Sequence, residues 1–304
     1  MTYVPRHAPP PAATLIALLT AVASALALPG AGGATPTAAG PTYDGDATRE
    51  VVEAMLEAHG YERWTEAPSA RFELIMNLLE LPVQGERRYF HNWRRYDVTL
   101  DPRTSRGFVE MPFEEIEQPS VGFDGASVWA REYVIEPMFR DPPLNLLYMH
   151  SSIVQMPFLT QLDGARLEDG GTGTLPGQER ELPVVSMTLS VGDGAVHFQL
   201  FIDPDTHLLE GFVHDAFYPP LPGGIPPTPF PGNVAGMRIA RIVDVRQTVD
   251  GVVIPRTYYS IAEAPDGTLA LNGTHLVLEA SFAEPFDEGR SARPADARVV
   301  LTRR

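Results

Sequence analysis

Alternating apolar and polar positions run through most of the chain and predict β-strands. In residues 70–78 the apolar side chains share one face, while Arg71, Glu73 and Asn77 occupy the other. The same period of two, or a comparable run of large apolar residues, recurs between turn signals. Further strands are predicted at 87–100, 105–111, 126–134, 185–191, 196–202, 208–218, 239–249, 252–262 and 268–282.

Asp-Gly pairs at 124–125, 193–194, 250–251 and 266–267 separate these runs. Asp-Gly favours the two-residue turns of β-hairpins, because both positions tolerate a positive φ. About ten strands joined by such short turns predict one large antiparallel sheet, and a sheet of this size tends to curl.

Two helices are predicted beside the strands. Asp46 is a candidate N-cap for a helix from about Ala47 to His59, and Gly60 supplies the stop. A second helix is predicted over residues 143–155, which are long and apolar enough to form one. With a curved sheet, these helices predict a mainly β fold: a half-open barrel whose concave side carries the N-terminal helix and the helical insertion.

The first residues resemble an export signal. Arg6 and His7 precede a small apolar run from Ala12 to Leu28, which is too short at ~1.5 Å per residue to cross a ~30 Å hydrocarbon core. We predict a signal peptide over 1–34, a disordered linker over 35–45, one domain over 46–286 and a weakly ordered tail over 287–304. Within the tail, residues 299–301 have the composition of an edge strand. The expected location is the periplasm, with the extracellular medium as the alternative.

Composition excludes several kinds of chemistry. The chain contains no cysteine and no lysine, so disulfides, thiol nucleophiles, P-loop lysines and Schiff bases are absent. Acidic residues number 39 against 23 basic ones, a net charge of −16, which disfavours a nucleic-acid partner. An arginine cluster at 87, 88, 94 and 95 is interpreted as a solvated hairpin face. We expect a monomer.

Three turn motifs resemble a known superfamily. They are a Phe-Asp-Gly turn leading into a strand that contains Trp129, the run Ile202-Asp-Pro-Asp-Thr-His-Leu208, and the run Asp250-Gly-Val-Val-Ile-Pro255. In this order they resemble the periplasmic outer-membrane lipoprotein carriers of the LolA/LolB-like superfamily, over about residues 46–285. The resemblance implies a hydrophobic cavity, between the curved sheet and its helices, that holds acyl chains or another apolar ligand.

Seven aromatic residues are the candidates for lining that cavity, although aromatic residues on a sheet more often fill a closed core. They are Trp64, Phe72, Trp129, Phe198, Phe201, Phe212 and Tyr258. A proline-rich segment, 219–231, is either a solvent-facing hairpin tip or a lid or partner arm that carries Leu221, Ile225 and Phe230.

No catalytic, metal or cofactor site is predicted. Asp203, Asp205 and His207 alternate like metal ligands, but Pro204 favours a structural turn. His214 and Asp215 are adjacent in a strand and point to opposite faces, so with His197 they make no clear acid–base pair. Ser151 and Ser152 lie near His150, and no Gly-x-Ser-x-Gly motif is present.

The predicted function is therefore non-covalent binding of a lipid acyl chain or another apolar small molecule, without enzyme activity. The alternative is a protein-interaction module that recognises another exported protein through the 219–231 loop or an open sheet edge. An unrecognised hydrolase is the third possibility.

Overall fold

The structure is a computed structural model that describes residues 40–83, 86–103, 106–110, 120–124, 127–131, 154–191, 194–215 and 236–302. The strands are β1 Thr42–Tyr43, β2 Ala70–Val83, β3 Glu86–Leu100, β4 Gly107–Glu110, β5 Ser120–Phe123, β6 Ser127–Arg131, β7 Ala165–Thr174, β8 Glu181–Val191, β9 Gly194–Ile202, β10 Leu209–Asp215, β11 Arg238–Val249, β12 Val252–Glu263, β13 Leu269–Ser281 and β14 Arg298–Thr302. The helices are α1 Asp46–Ala58, α2 Tyr61–Glu66, helical residues 154–159 (α3) and α4 Glu288–Ser291.

All fourteen described strands form one sheet, in the order β1-β7-β8-β9-β10-β11-β12-β13-β2-β3-β4-β5-β6-β14. Two antiparallel meanders, β2 to β6 and β7 to β13, meet where β13 pairs with β2. The terminal strands complete the two edges: β1 pairs with β7 in parallel, and β14 pairs with β6. The predicted fold class, a large curved sheet with few helices, is confirmed, with β1 as the parallel exception.

The Asp250–Gly251 hairpin shows why the turn prediction succeeds. Val249 pairs with Val252, which leaves two turn residues, and their φ angles are +50° and +85°. Two positive φ values are the geometry of a type I′ turn, whose twist matches that of the flanking strands. The turn at 266–267 is also present, and Asp266 Oδ1 accepts a hydrogen bond from the backbone N–H of Thr268 at 2.9 Å.

Helix α1 has the predicted apolar stripe, since Val52, Met55 and Leu56 are buried. The predicted cap at Asp46 is wrong: Gly45 occupies the N-cap position, and no side chain caps the helix. Asp44 instead accepts a hydrogen bond from the Thr48 hydroxyl at 2.6 Å, which anchors the first turn.

The helix ends as predicted. Gly60 has a left-handed backbone with φ +77°, and a Cβ atom there would lie 2.2 Å from the carbonyl oxygen of Gly251. Glycine is therefore required both by the conformation and by the close approach of the β11–β12 turn.

The structure differs from the predicted linker and tail. Strand β1 lies inside the segment predicted as a disordered linker, because Thr42 pairs with Arg166 of β7. Strand β14 confirms the edge strand predicted at residues 299–301, whereas helix α4 lies inside the predicted weakly ordered tail. Arg106 contacts both carboxylate oxygens of Glu288, at 2.6 and 2.7 Å, and holds α4 against the sheet. Residues 1–39 lie outside the described residues, so the signal peptide and the domain boundaries stay predictions.

Sequence patterns also missed β5, β7 and α2. Strand β7 has mostly exposed residues after Leu167 and contains Gly170 and Gly171, so it lacks the apolar alternation of a half-buried strand. Most of the predicted second helix, residues 143–153, lies outside the described residues. Its end is helical and continues as α3 to residue 159.

In the described part of the chain, the two larger apolar clusters stabilise the sheet, one on each face. The larger lies between one face and helices α1 to α3, and includes Met55, Trp64, Phe158, Phe198 and Tyr258. The smaller lies on the opposite face and comprises Leu175, Leu182, Val184, Phe201, Val213, Ala240 and Ile242. Hereafter the face that carries the helices is the helix-covered face.

Candidate functional site

The predicted cavity aromatics are all buried, at 5% exposure or less, but they do not surround one cavity. Trp64 stacks on Phe158 of α3, with ring centroids 4.4 Å apart, and contacts Phe282 edge-on. Phe72 lies in the same packed layer. These side chains fix the helices to the sheet, as ordinary core residues do.

The remaining candidates divide between the two faces. Phe198 and Phe212 are neighbours on the helix-covered face, with centroids 6.2 Å apart, whereas Phe201 belongs to the opposite apolar layer. Trp129 donates its indole N–H to the carbonyl oxygen of Ser291 at 3.3 Å, far along the chain in α4. Phe201 therefore cannot line the same surface as Phe198 and Phe212, because successive strand residues alternate between faces.

A cleft opens on the helix-covered face where α3 meets β10, β11 and β12. It is lined by His59, Val154, Pro157, Leu209, Phe212, Arg241, Val243, Arg246, Val253, Pro255 and Tyr258. Of the seven predicted aromatics, Phe212 and Tyr258 are in this lining. The cavity volume is about 10 Å³, roughly the space that one water molecule needs. In this conformation the cleft does not hold an acyl chain.

His59 fixes the geometry of the cleft at the end of α1. Its Nδ1 donates to the carbonyl oxygen of Val253 at 2.9 Å, and its Nε2 accepts from the backbone N–H of Leu209 at 3.0 Å. Because Nε2 accepts a hydrogen bond, the ring is neutral and carries its proton on Nδ1. Burial, assisted by the positive charge of Arg246 and opposed by the hydrogen bond to Val253, lowers the pKa of His59 to about 4.

Tyr258 lines the cleft and carries a buried hydroxyl. The residue is 2% exposed, and its hydroxyl oxygen has no hydrogen-bond partner among the residues that the structure describes. An unsatisfied buried polar group costs roughly 1–3 kcal/mol, so such a group calls for an explanation. Burial raises the pKa of Tyr258 well above its usual range, against the positive charge of Arg241, so the hydroxyl keeps its proton.

Beside Tyr258 lies a buried polar group of three residues. Arg241 is 6% exposed and donates to the Ser260 hydroxyl at 3.2 Å, and Ser260 Oγ lies 3.3 Å from His275 Nε2. The His275 ring stacks on Tyr258, with centroids 4.3 Å apart and an interplanar angle of 8°. This stacking connects the polar group to the wall of the cleft.

The second arginine of the lining is also held in place. Arg246 donates to the carbonyl oxygen of Leu209 at 2.8 Å and pairs with Glu210 at 2.9 Å. None of the described residues that line the cleft is acidic. The lining therefore combines apolar side chains with two guanidinium groups, a neutral imidazole and a protonated phenol.

The turn interpretation of Asp203 agrees with the structure. Oδ1 of Asp203 accepts backbone N–H groups of Asp205 and Thr206, at 2.8 and 3.0 Å, and Oδ2 accepts from Arg180 at 2.7 Å. Burial alone would raise the pKa of Asp203, but the Arg180 contact and the two backbone hydrogen bonds lower it to about 2. This carboxylate is occupied in building the turn.

Other candidates lie outside the described residues: Leu221, Ile225 and Phe230 of the proline-rich loop, and His150, Ser151 and Ser152. Over the described ranges, no group of three histidine or acidic side chains is arranged to hold a metal ion. In the same part of the chain, no helix combines the length and apolar character needed to cross a membrane.

Sequence patterns did not identify His59, Arg241 and Arg246 as residues that line a cleft. The sequence predicted His59 only as the last position of the apolar stripe of α1. It predicted Arg241 and Arg246 only as members of a strand. The one available signal was the position of Arg241 among Ile239, Ala240 and Ile242, a charged residue inside an apolar run.

No protein family and no curated protein matches the sequence. Among solved structures, the fold is similar to a LolA superfamily protein from Nitrosomonas europaea, at 8% identity and a TM-score of 0.47, with 81% of this chain and 97% of that chain covered. A DUF1329 family protein from Desulfovibrio piger follows at 10% identity and a TM-score of 0.39, with 82% and 98% covered. MucB is similar at 9% identity and a TM-score of 0.27, with 85% and 66% covered.

One of these similar structures belongs to the LolA superfamily, the superfamily that the turn motifs resemble. Identities of 8% to 10% and TM-scores below 0.5 are too low to transfer a ligand or an activity.

Proposed function

We propose that this protein binds an apolar ligand non-covalently at the helix-covered face of its sheet, after export, with the cleft beneath α3 as the entrance. One observation supports the proposal above the others: Val154 and Pro157 of α3 lie over Phe212 and Tyr258 of the sheet and close a mostly apolar cleft. Ligand sites are typically concave and mostly apolar, with a few fixed polar groups.

The small cavity volume means that binding requires movement. An apolar ligand enters only if α3 separates from β10–β12, because the cleft has space for one water-sized group. The ligand would then replace the contacts that Val154 and Pro157 make with the sheet, so that apolar surface stays buried in both states. Binding by burial needs no nucleophile, and Ser260 and His275 are at most 4% exposed, which suits a structural role better than a catalytic one.

The test is equilibrium binding of the neutral apolar dye N-phenylnaphthylamine, followed by its fluorescence, to the full chain and to Val243→Trp. Val243 lines the cleft and is half-buried, so a larger side chain there fills the entrance without entering the packed core. Val245→Trp is the matched control on the same strand, at a position that is 45% exposed and outside the cleft.

We expect saturable dye binding that Val243→Trp weakens at least about tenfold, while Val245→Trp leaves it unchanged. Absence of saturable binding to the full chain, or equal binding to both variants, would contradict the proposal. The protein-interaction alternative through residues 219–231 stays a prediction, since no described feature favours it.

A further inference from the structure

Four polar residues form one wall of the cleft: His59, Arg241, Arg246 and Tyr258. We call them the polar wall. We propose that it binds the acidic head group of the ligand, a carboxylate or a phosphoryl group, so that the ligand is an anionic amphiphile. This inference rests on the proposed function, in which the apolar part of the ligand lies beneath α3. It adds the chemical class of the ligand and the residues that recognise it.

The charge of the lining favours an anion. Arg241 and Arg246 are both in the lining, and none of the described lining residues is acidic. Arg246 pairs with Glu210, which lies outside the lining, and Arg241 is 6% exposed and donates to the Ser260 hydroxyl. A guanidinium in such a water-poor setting attracts an anion more strongly than one at the surface, because the local dielectric is low.

The hydrogen-bonding groups of the lining also favour a head group that carries oxygen atoms. The Tyr258 hydroxyl is buried and has no partner in the described part of the chain, so it is ready to donate to an incoming oxygen atom. His59 cannot serve this purpose, because both of its ring nitrogens already bind backbone groups. Tyr258 is therefore a lining residue with a donor still to satisfy, and so is Arg246 through its buried Nε. A carboxylate or phosphoryl oxygen is an acceptor that Arg241 would also attract.

The size and the position of the cavity also suit a head group. The cavity volume of about 10 Å³ accommodates one oxygen-sized group without any movement of the sheet. Val154, Pro157 and Phe212 line the same cleft, so a head group at Tyr258 places the attached chain directly against the apolar side. Polar recognition and apolar burial then take place at one continuous surface.

The experiment compares ligands with the same tail and different heads, by calorimetry at pH 7 on the full chain. Dodecanoate carries the anion, dodecanol is neutral, dodecyltrimethylammonium is cationic, and acetate and inorganic phosphate are anions without a tail. The principal variant is Tyr258→Phe, which removes the hydroxyl oxygen and leaves the ring that stacks on His275. Arg241→Gln tests the charge, and Arg238→Gln is the matched control on the same strand, outside the cleft.

We expect dodecanoate to bind at least about tenfold more tightly than dodecanol or the cationic ligand. Tyr258→Phe should remove most of that preference without weakening dodecanol, and Arg238→Gln should change neither affinity. The thermal unfolding midpoint of Tyr258→Phe should be equal to that of the wild type or higher, so this variant decides the question even if Arg241→Gln fails to fold.

Equal binding of dodecanoate and dodecanol, unaffected by Tyr258→Phe, would overturn the head-group inference and leave the proposed function intact. Acetate or phosphate binding as tightly as dodecanoate would also overturn it, because the cleft would then be a small-anion site. If neither tailed ligand nor the neutral dye bound, the proposed function itself would fail.

Discussion

Acidification should destabilise this protein through His59. The neutral ring connects α1 to β10 and β12, and protonation at Nε2 would remove its hydrogen bond from Leu209. The folded-state pKa is about 4, against an ordinary value of 6.5. At ~1.4 kcal/mol per pH unit, this difference corresponds to about 3 kcal/mol of free energy of unfolding.

The free energy of unfolding falls on acidification because the folded-state pKa of His59 is depressed. Between pH 6.5 and 4 the unfolded chain binds a proton at this residue and the folded chain does not, so the free energy of unfolding falls as the pH falls. The contribution is fully present above about pH 6.5 and is lost by about pH 4. Carboxylates titrate at the lower end of this window, so a comparison of variants is needed to isolate His59.

The assay is urea unfolding at several pH values between 4 and 7.5 for the wild type and His59→Gln. Glutamine can donate to Val253 but does not titrate, so we expect the variant to be roughly 1–3 kcal/mol less stable at pH 7 and nearly equal at pH 4. His197→Gln, at an exposed position of β9, controls for the loss of a histidine. Parallel stability curves for the wild type and His59→Gln would refute the reasoning.

Two further substitutions test the elements that position the cleft. Gly60→Ala should cost more than about 3 kcal/mol, because it strains a positive φ and brings Cβ to 2.2 Å from the Gly251 carbonyl oxygen; an unchanged urea midpoint would contradict this. Asp203→Ala should lower stability by about 2 kcal/mol at pH 7. Two backbone N–H groups of the turn would lose their acceptor, and Arg180 would lose its partner. Calorimetric melting of this variant beside Asp205→Ala, at an exposed position, is the measurement.

The sheet was predictable because its signals are local. Alternation and Asp-Gly turns depend on neighbouring residues, and the Asp250–Gly251 turn has the geometry that its sequence demands. Strand β7 was not predictable, because its outer half is exposed and its place in the sheet depends on pairing with β8. Strand β1 is two residues long and exists only through its contact with β7.

The site was less predictable than the fold, for a physical reason. Periodicity places a side chain on a face but does not tell whether that face is packed or hollow. Phe198 and Phe201 are three residues apart and lie on opposite faces. Trp64 packs against Phe158 and does not line the cleft. The cleft forms because Arg241, Tyr258 and His59, which are distant in the sequence, lie close together in the fold. No local sequence pattern predicts such proximity.

The junction between β13 and β2 has a consequence for folding. It pairs Arg71 with Ser281, so strands from opposite ends of the domain lie side by side in the middle of the sheet. Until β13 has emerged and docked, β2 has one unsatisfied edge, and each meander still lacks its neighbour. Such late, non-local pairing slows folding and leaves an edge open to association with other chains. The protein should therefore depend on slow, dilute or assisted refolding, and a truncation before β13 should aggregate rather than form half a sheet.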